Sequence, residues 1–137
     1  MTGTWTGTYK YKTKNPTLSK RETLFTLTIT ENDGENFKGI VFDDSETGGT
    51  KGQGTIIGTI KNGNIEFVKQ MPILTLITKK GRKIEAPKEH NPIYYKGILN
   101  SDQTFEGEWK IKGGITINKY VFAFGFGTTG TWKMSKM

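Results

Sequence analysis

The stretch Gly54-Thr55-Ile56-Ile57-Gly58-Thr59-Ile60-Lys61-Asn62-Gly63-Asn64-Ile65-Glu66-Phe67-Val68-Lys69-Gln70-Met71 decides the fold. Gly54, Ile56, Gly58 and Ile60 recur at every second residue, and Ile65, Phe67, Lys69 and Met71 do so after them. Successive side chains in a strand point to opposite faces, so this period puts each set on one side of a sheet. Between the sets stands Asn62-Gly63, a pair that accepts the positive φ both central positions of a tight hairpin turn require. Pro72 has no N–H to give a ladder, so it ends the return strand or puts it on an edge.

The same period extends in both directions. Toward the N-terminus, Trp5, Gly7, Tyr9 and Tyr11 alternate with Thr4, Thr6, Thr8 and Lys10. Phe25, Leu27 and Ile29 alternate with Thr26, Thr28 and Thr30, and Asn32-Asp33-Gly34 turns the chain into Phe37, Gly39, Val41 and Asp43. A Gly/Ser/Thr-rich loop from Asp44 to Lys51 leads back to the central hairpin. Toward the C-terminus, residues 73–92 are less regular. Ile73 to Thr78 is β-like, Lys79-Lys80-Gly81-Arg82-Lys83 is a basic turn, and Pro87 and Pro92 bracket His90. Alternation resumes with Tyr95, Gly97 and Leu99, a Ser101-Asp102 turn, and then Phe105, Gly107, Trp109 and Ile111. Beyond Gly113-Gly114, the segments Val121–Phe126 and Gly130–Met134 close the series. About eight to ten short strands in sequence order form a meander, which closes into a barrel or folds into a sandwich.

One repeated pairing favours the barrel. Trp5–Gly7, Phe37–Gly39, Ile56–Gly58, Tyr95–Gly97 and Phe105–Gly107 each set a large apolar residue two positions before a Gly on the same inward face. Gly weakens a strand unless the strand must bend or something must approach it closely. Small closed barrels need such bends, with rings covering the gap each Gly leaves. The reading is therefore one all-β domain over residues 1–137, a single antiparallel up-and-down β-barrel.

Gly3-Thr4-Trp5 in the first strand and Gly130-Thr131-Trp132-Lys133 in the last resemble the calycin barrels: lipocalins, fatty-acid binders and avidins (streptavidin among them). The resemblance implies that the Trp5 ring plugs one end of the barrel. It also implies that a basic residue of the last strand, Lys133 or Lys136, packs across that ring. The chain lacks the later loop motifs and the Cys of lipocalins, and has no match to the polar biotin-binding set of avidins. The resemblance thus implies an architecture and leaves the ligand open.

Composition narrows the chemistry. With no Cys and one His among 137 residues, thiolate sites, disulfides and most His-based metal or triad schemes are excluded. No apolar run approaches the ~18 residues of a spanning helix, so no membrane contact is expected. No leader is visible before Trp5, which with the lack of Cys points to the cytoplasm. Twenty Lys and Arg against thirteen Asp and Glu permit an anionic partner, but spread along the chain they read as solvating charge. No nucleic acid is expected, because the basic cluster Lys79–Lys83 with Lys88 is not interleaved with aromatic platforms. Gly125-Phe126-Gly127-Thr128-Thr129-Gly130 fits a dinucleotide pattern but is followed by strand, not by the helix that would hold a pyrophosphate. Asp43-Asp44-Ser45-Glu46-Thr47-Gly48 opens like a calcium loop, yet its twelfth position is Gly54 where a bidentate Glu is required, so no metal is expected. Glu106 and Glu108 share an outward, solvated face with Lys110 and lack the opposed environments of an acid/base pair. No catalytic residue, enzymatic activity or cofactor is expected.

Three charges fall on the apolar phase: Arg21, Asp43 and Lys69. A buried charge needs a partner. Lys69 has three readings: an anchor for a ligand carboxylate at the barrel mouth, an internal pair with Asp43, or a rim position in solvent. Two functions follow. In the first, a non-enzymatic barrel holds a small apolar or amphipathic molecule inside, with Trp5, Tyr9, Phe37, Phe67, Lys69, Tyr95 and Trp109 as its contacts. In the second, the same rings fill the barrel and the outer surface contacts a protein or a glycan. The number of inward rings decides between them.

Overall fold

The computed structural model describes residues 2–14, 16–49, 51–72, 74–77, 83–86, 92–111, 116–117, 120–121 and 128–137. Its strands are β1 (Gly3–Tyr11), β2 (Thr23–Asn32), β3 (Asn36–Asp43), β4 (Gln53–Lys61), β5 (Asn64–Gln70), β6 (Leu74–Ile77), β7 (Lys83–Ala86), β8 (Ile93–Leu99), β9 (Thr104–Ile111), β10 (Thr116–Ile117), β11 (Tyr120–Val121) and β12 (Thr128–Lys136). A single helical turn, α1 (Pro16–Ser19), follows β1. Eight strands close an antiparallel up-and-down barrel in the order β1-β12-β9-β8-β5-β4-β3-β2. The hairpins β6–β7 and β10–β11 are inserted into the meander as separate two-stranded sheets.

The first and last strands pair over seven positions, from Trp5 opposite Lys136 to Tyr11 opposite Gly130. Closure removes the sheet edges that would otherwise template aggregation. The turn read as Asn62-Gly63 adopts φ of 52° and 78°, the mirror-image turn whose twist matches that of its flanking strands.

The two ends of the barrel differ. Short turns at 33–35, 62–63 and 100–103 form one, the turn end. The segments 12–22, 44–52, 71–92 and 112–127 connect strands at the other, the loop end.

The inward phase is as read. Trp5, Tyr9, Phe25, Phe37, Phe67, Tyr95, Phe105, Trp109 and Trp132 are all buried in one core, with Leu27, Val41, Ile56, Ile65, Met71, Ile111 and Met134 among them. The glycines are the seats of these rings. A Cβ on Gly97 would lie 2.7 Å from Cζ2 of Trp132, one on Gly7 2.6 Å from Cζ of Phe25, and one on Gly58 2.8 Å from Cζ of Phe37. A Cβ on Gly130 would strike the Trp109 ring. At all four of these positions, and at Gly39 and Gly107, the nearest obstacle is a carbonyl oxygen of a neighbouring strand, that of Thr28 for Gly39 and of Lys96 for Gly107. Leu99 is the exception: it follows the inward phase but stands exposed at the turn-end rim.

Candidate functional site

Two of the three charged residues on the apolar phase, Lys69 and Asp43, meet near the loop end, while Arg21 is half-buried in the segment before β2. Lys69, late in β5, and Asp43, the last residue of β3, face each other inside the barrel with β4 between them. Lys69 Nζ lies 2.6 Å and 2.8 Å from the two carboxylate oxygens, and the side chains are 2% and 3% exposed. The Tyr9 hydroxyl donates to Asp43 Oδ2 at 3.3 Å, and Lys69 Nζ lies 3.5 Å from the Tyr95 hydroxyl. The ammonium also sits 4.8 Å from the Tyr9 ring centroid and 5.6 Å from that of Tyr95. Two oxygens, a hydroxyl and two ring faces thus solvate the charge in place of water. Of the three readings of Lys69, the geometry is that of the internal pair.

Burial pushes the Tyr9 hydroxyl well above its ordinary value, and the Asp43 carboxylate pushes it further. Tyr95 is raised by the same two causes, and Tyr11 by burial foremost, then Asp43. Buried Thr23 donates to the Thr47 carbonyl at 2.9 Å and ties β2 to the turn Ser45–Thr47. Asp44 caps that turn by accepting from the Glu46 N–H. Asp43 and Asp44, adjacent in the calcium-like sequence, therefore serve different structures.

The candidate ligand residues are all inward, and all of them but Trp5 pack within two linked groups of side chains around Lys69. Phe67 stacks on Tyr95 with centroids 4.6 Å apart, while Phe37 and Trp132 meet Phe67 edge-on. Trp109 packs edge-on against Tyr9 and Tyr11. Its indole N–H donates to the Lys10 carbonyl at 3.1 Å, while that of Trp132 donates to those of Lys96 and Glu108. Trp5 lies apart from them, at the turn end against Phe105, with its indole N–H buried and unpartnered. The last-strand cation implied by the resemblance needs a correction. Lys133 is exposed on the outer phase opposite Thr8 and Glu106, whereas Lys136 is the register partner of Trp5.

Outside the barrel, a groove of about 1120 Å³ runs across the strands from β3 to β12. Its floor is two cross-strand rows. One reads Lys38, Ile57, Val68, Tyr94, Lys110, Thr129, and the other Asn36, Thr59, Glu66, Lys96, Glu108. Ile57 is 59% exposed and Tyr94 39%. Lys96 pairs with Glu66 at 3.4 Å in solvent. Sequence reading passed over this row, although a signal was present. Ile56-Ile57, Phe67-Val68 and Tyr94-Tyr95 are consecutive apolar pairs that break the alternation and put one apolar residue outward.

Glu106 and Glu108 are exposed on the outer face as expected. Gly130 of the dinucleotide-like pattern lies within β12, while its residues 125–127, the basic turn 79–82 and His90 fall outside the described residues. No family model, curated protein or solved structure matches this chain.

Proposed function

We propose that this chain is a non-enzymatic binding module that contacts another protein through the outer groove. The supporting observation is the apolar row Ile57–Val68–Tyr94 at its centre, with Lys38 and Lys110 at the ends and the Glu66–Lys96 pair alongside. An apolar, aromatic-containing centre inside a charged rim is the anatomy of a protein interface. The interior, in contrast, holds its own packed side chains, and Lys69, the buried cation among the described residues, is neutralised by Asp43. The closed wall of the barrel offers no free strand edge, so a partner seated in this groove docks on side chains. A second copy of this chain is a poor fit, because either two-fold arrangement of the row sets lysine against lysine. The fitting partner presents apolar side chains between carboxylates. Ligand uptake inside a calycin-like barrel is the competing reading, and it requires the core rings to move apart.

The test is site-specific photo-crosslinking in cells from position 57 and, as a control, from exposed Thr6 on the outer face of β1, a strand that does not line the groove. A protein captured from position 57 alone is then purified, and its affinity is measured for wild type and Ile57→Glu. A loss of tenfold or more with the barrel still folded is expected. Equal capture from both positions, or an affinity unchanged by Ile57→Glu, would overturn the assignment.

A further inference from the structure

Five asparagines stand among the described residues, and four of them have their side-chain amides held. Asn32 Oδ1 accepts from the Gly34 N–H at 2.8 Å, and Asn36 Nδ2 donates to Asp33 at 3.4 Å. Asn64 Nδ2 donates to the Asn62 backbone carbonyl at 3.5 Å, and Asn100 Nδ2 donates to the Thr104 hydroxyl at 3.3 Å. Asn62 is the exception. It is exposed, and no group among the described residues bonds its carboxamide. It is also the one of the five that a Gly follows.

The peptide unit between Asn62 and Gly63 is equally loose. Among the described residues the Gly63 N–H has no acceptor, and the Asn62 carbonyl takes only the long bond from Asn64. The ladder of the hairpin begins at the flanking pair, Lys61 and Asn64. Rotation of this one unit therefore breaks no ladder bond, and it carries Gly63 N toward Cγ of Asn62. Glycine puts no side chain in the way. The Gly63 carbonyl, on the far side of its Cα, stays tied to the Leu99 N–H at 2.8 Å.

We infer that Asn62 is a site of spontaneous conversion to aspartate and isoaspartate, with water as the co-reactant. Gly63 N gives its proton to hydroxide and bonds to Asn62 Cγ. The Cγ–Nδ2 bond breaks, Nδ2 takes a proton from water and leaves as ammonia, and a cyclic succinimide remains. Water then adds to one of its two carbonyls. Opening at Cγ yields aspartate. Opening at the former peptide bond yields isoaspartate, with the main chain running through Cβ and Cγ. The first product keeps the turn, because Asp-Gly suits the same mirror-image geometry. The second adds a backbone carbon to a two-residue turn, and turn length is what fixes the Lys61–Asn64 register. The tip of the β4–β5 hairpin is thus a chemical clock, silent as aspartate and loosening the hairpin as isoaspartate. The inference is independent of what fills the outer groove.

The experiment holds the purified full chain in mildly alkaline buffer, with the same chain in urea alongside, and follows each asparagine by peptide mapping and mass spectrometry. Asn62 is expected to gain the mass difference between amide and acid about tenfold faster than Asn100, which precedes Ser101, and to give two products that chromatography separates. Its rate in the native chain should stay within about tenfold of that in urea, because the peptide unit is already loose in the fold. Asn62→Gly, which suits the same turn, should abolish the conversion there. Asn62→Asp should melt with wild type, whereas the separated isoaspartate form should melt about 5 °C lower or more. An Asn62 that converts in urea and stays intact in the native chain would overturn the inference, since the fold would then protect it. Equal native rates at Asn62 and Asn100, or an isoaspartate form that melts with wild type, would also overturn it.

Discussion

Lys69 and Asp43 meet inside the barrel, 2.6 Å apart, from two strands that do not pair with each other. Buried pairs cost desolvation to form, and breaking one leaves an uncompensated charge. Lys69→Met is therefore expected to destabilise the protein by about 3–5 kcal/mol. The double variant Lys69→Met with Asp43→Leu should recover most of that loss, because an apolar pair of similar volume carries no buried charge. Denaturant unfolding of the three proteins decides the point. An unchanged midpoint for Lys69→Met would show that Asp43 does not depend on it.

Gly107 tolerates no side chain. A Cβ there would run into the Lys96 carbonyl and lie 2.5 Å from Cα of Gly97, and both obstacles are backbone. Gly107→Val should cost about 3 kcal/mol or more, at or beyond the usual cost of overpacking, because the strands cannot separate without losing their ladder. Gly34→Ala is a useful contrast, since nothing lies within 4 Å and only its φ of 105° opposes the change. Equal melting temperatures for wild type and Gly107→Val would contradict the close approach of β8 and β9.

Trp5 and Lys133, both drawn from the calycin resemblance, should now behave very differently. Trp5 fills the turn end against Phe105, so Trp5→Ala should cost about 3–5 kcal/mol. Lys133 stands in solvent, and Lys133→Ala should stay within about 0.5 kcal/mol of wild type. Comparable losses for the two would put Lys133 back in the core.

Alkaline pH should unfold the barrel through its tyrosines. Tyr9, Tyr11 and Tyr95 stay protonated in the fold well above the ordinary value of 10.0. In the unfolded chain they ionise near that value, so above it the unfolded state binds fewer protons. The stability they contribute is fully present below pH 10.0 and lost as pH rises above it, by up to about 1.4 kcal/mol per pH unit for each. The native absorbance titration should therefore leave these three of the five tyrosines un-ionised until the cooperative transition. A titration of all five near pH 10.0 in folded protein would contradict the burial.

The strand plan was legible because each barrel strand buries one face, which forces period two on residues such as Ile65, Phe67 and Lys69. Closure was legible from the glycines, since an aromatic beside a Gly on the inward face has no use in a flat sheet. The state of Lys69 was not legible. Its pairing depends on how β3 and β5 face each other across the interior, and no local pattern encodes that. The outer row was overlooked for a different reason. Ile57 and Val68 are neighbours only through the β4–β5 register, and in sequence each is a single break in an otherwise regular alternation.

A filled interior with a working outer face is tested most directly by titrating the purified protein with a fluorescent fatty-acid probe. The stacked set Phe37, Phe67, Tyr95 and Trp132, together with a Lys69 already held by Asp43, predicts no saturable uptake, and an unchanged signal for Lys69→Met. Saturable, stoichiometric uptake that an unlabelled amphipathic acid displaces, and that Lys69→Met weakens, would contradict the account and place the ligand inside the barrel.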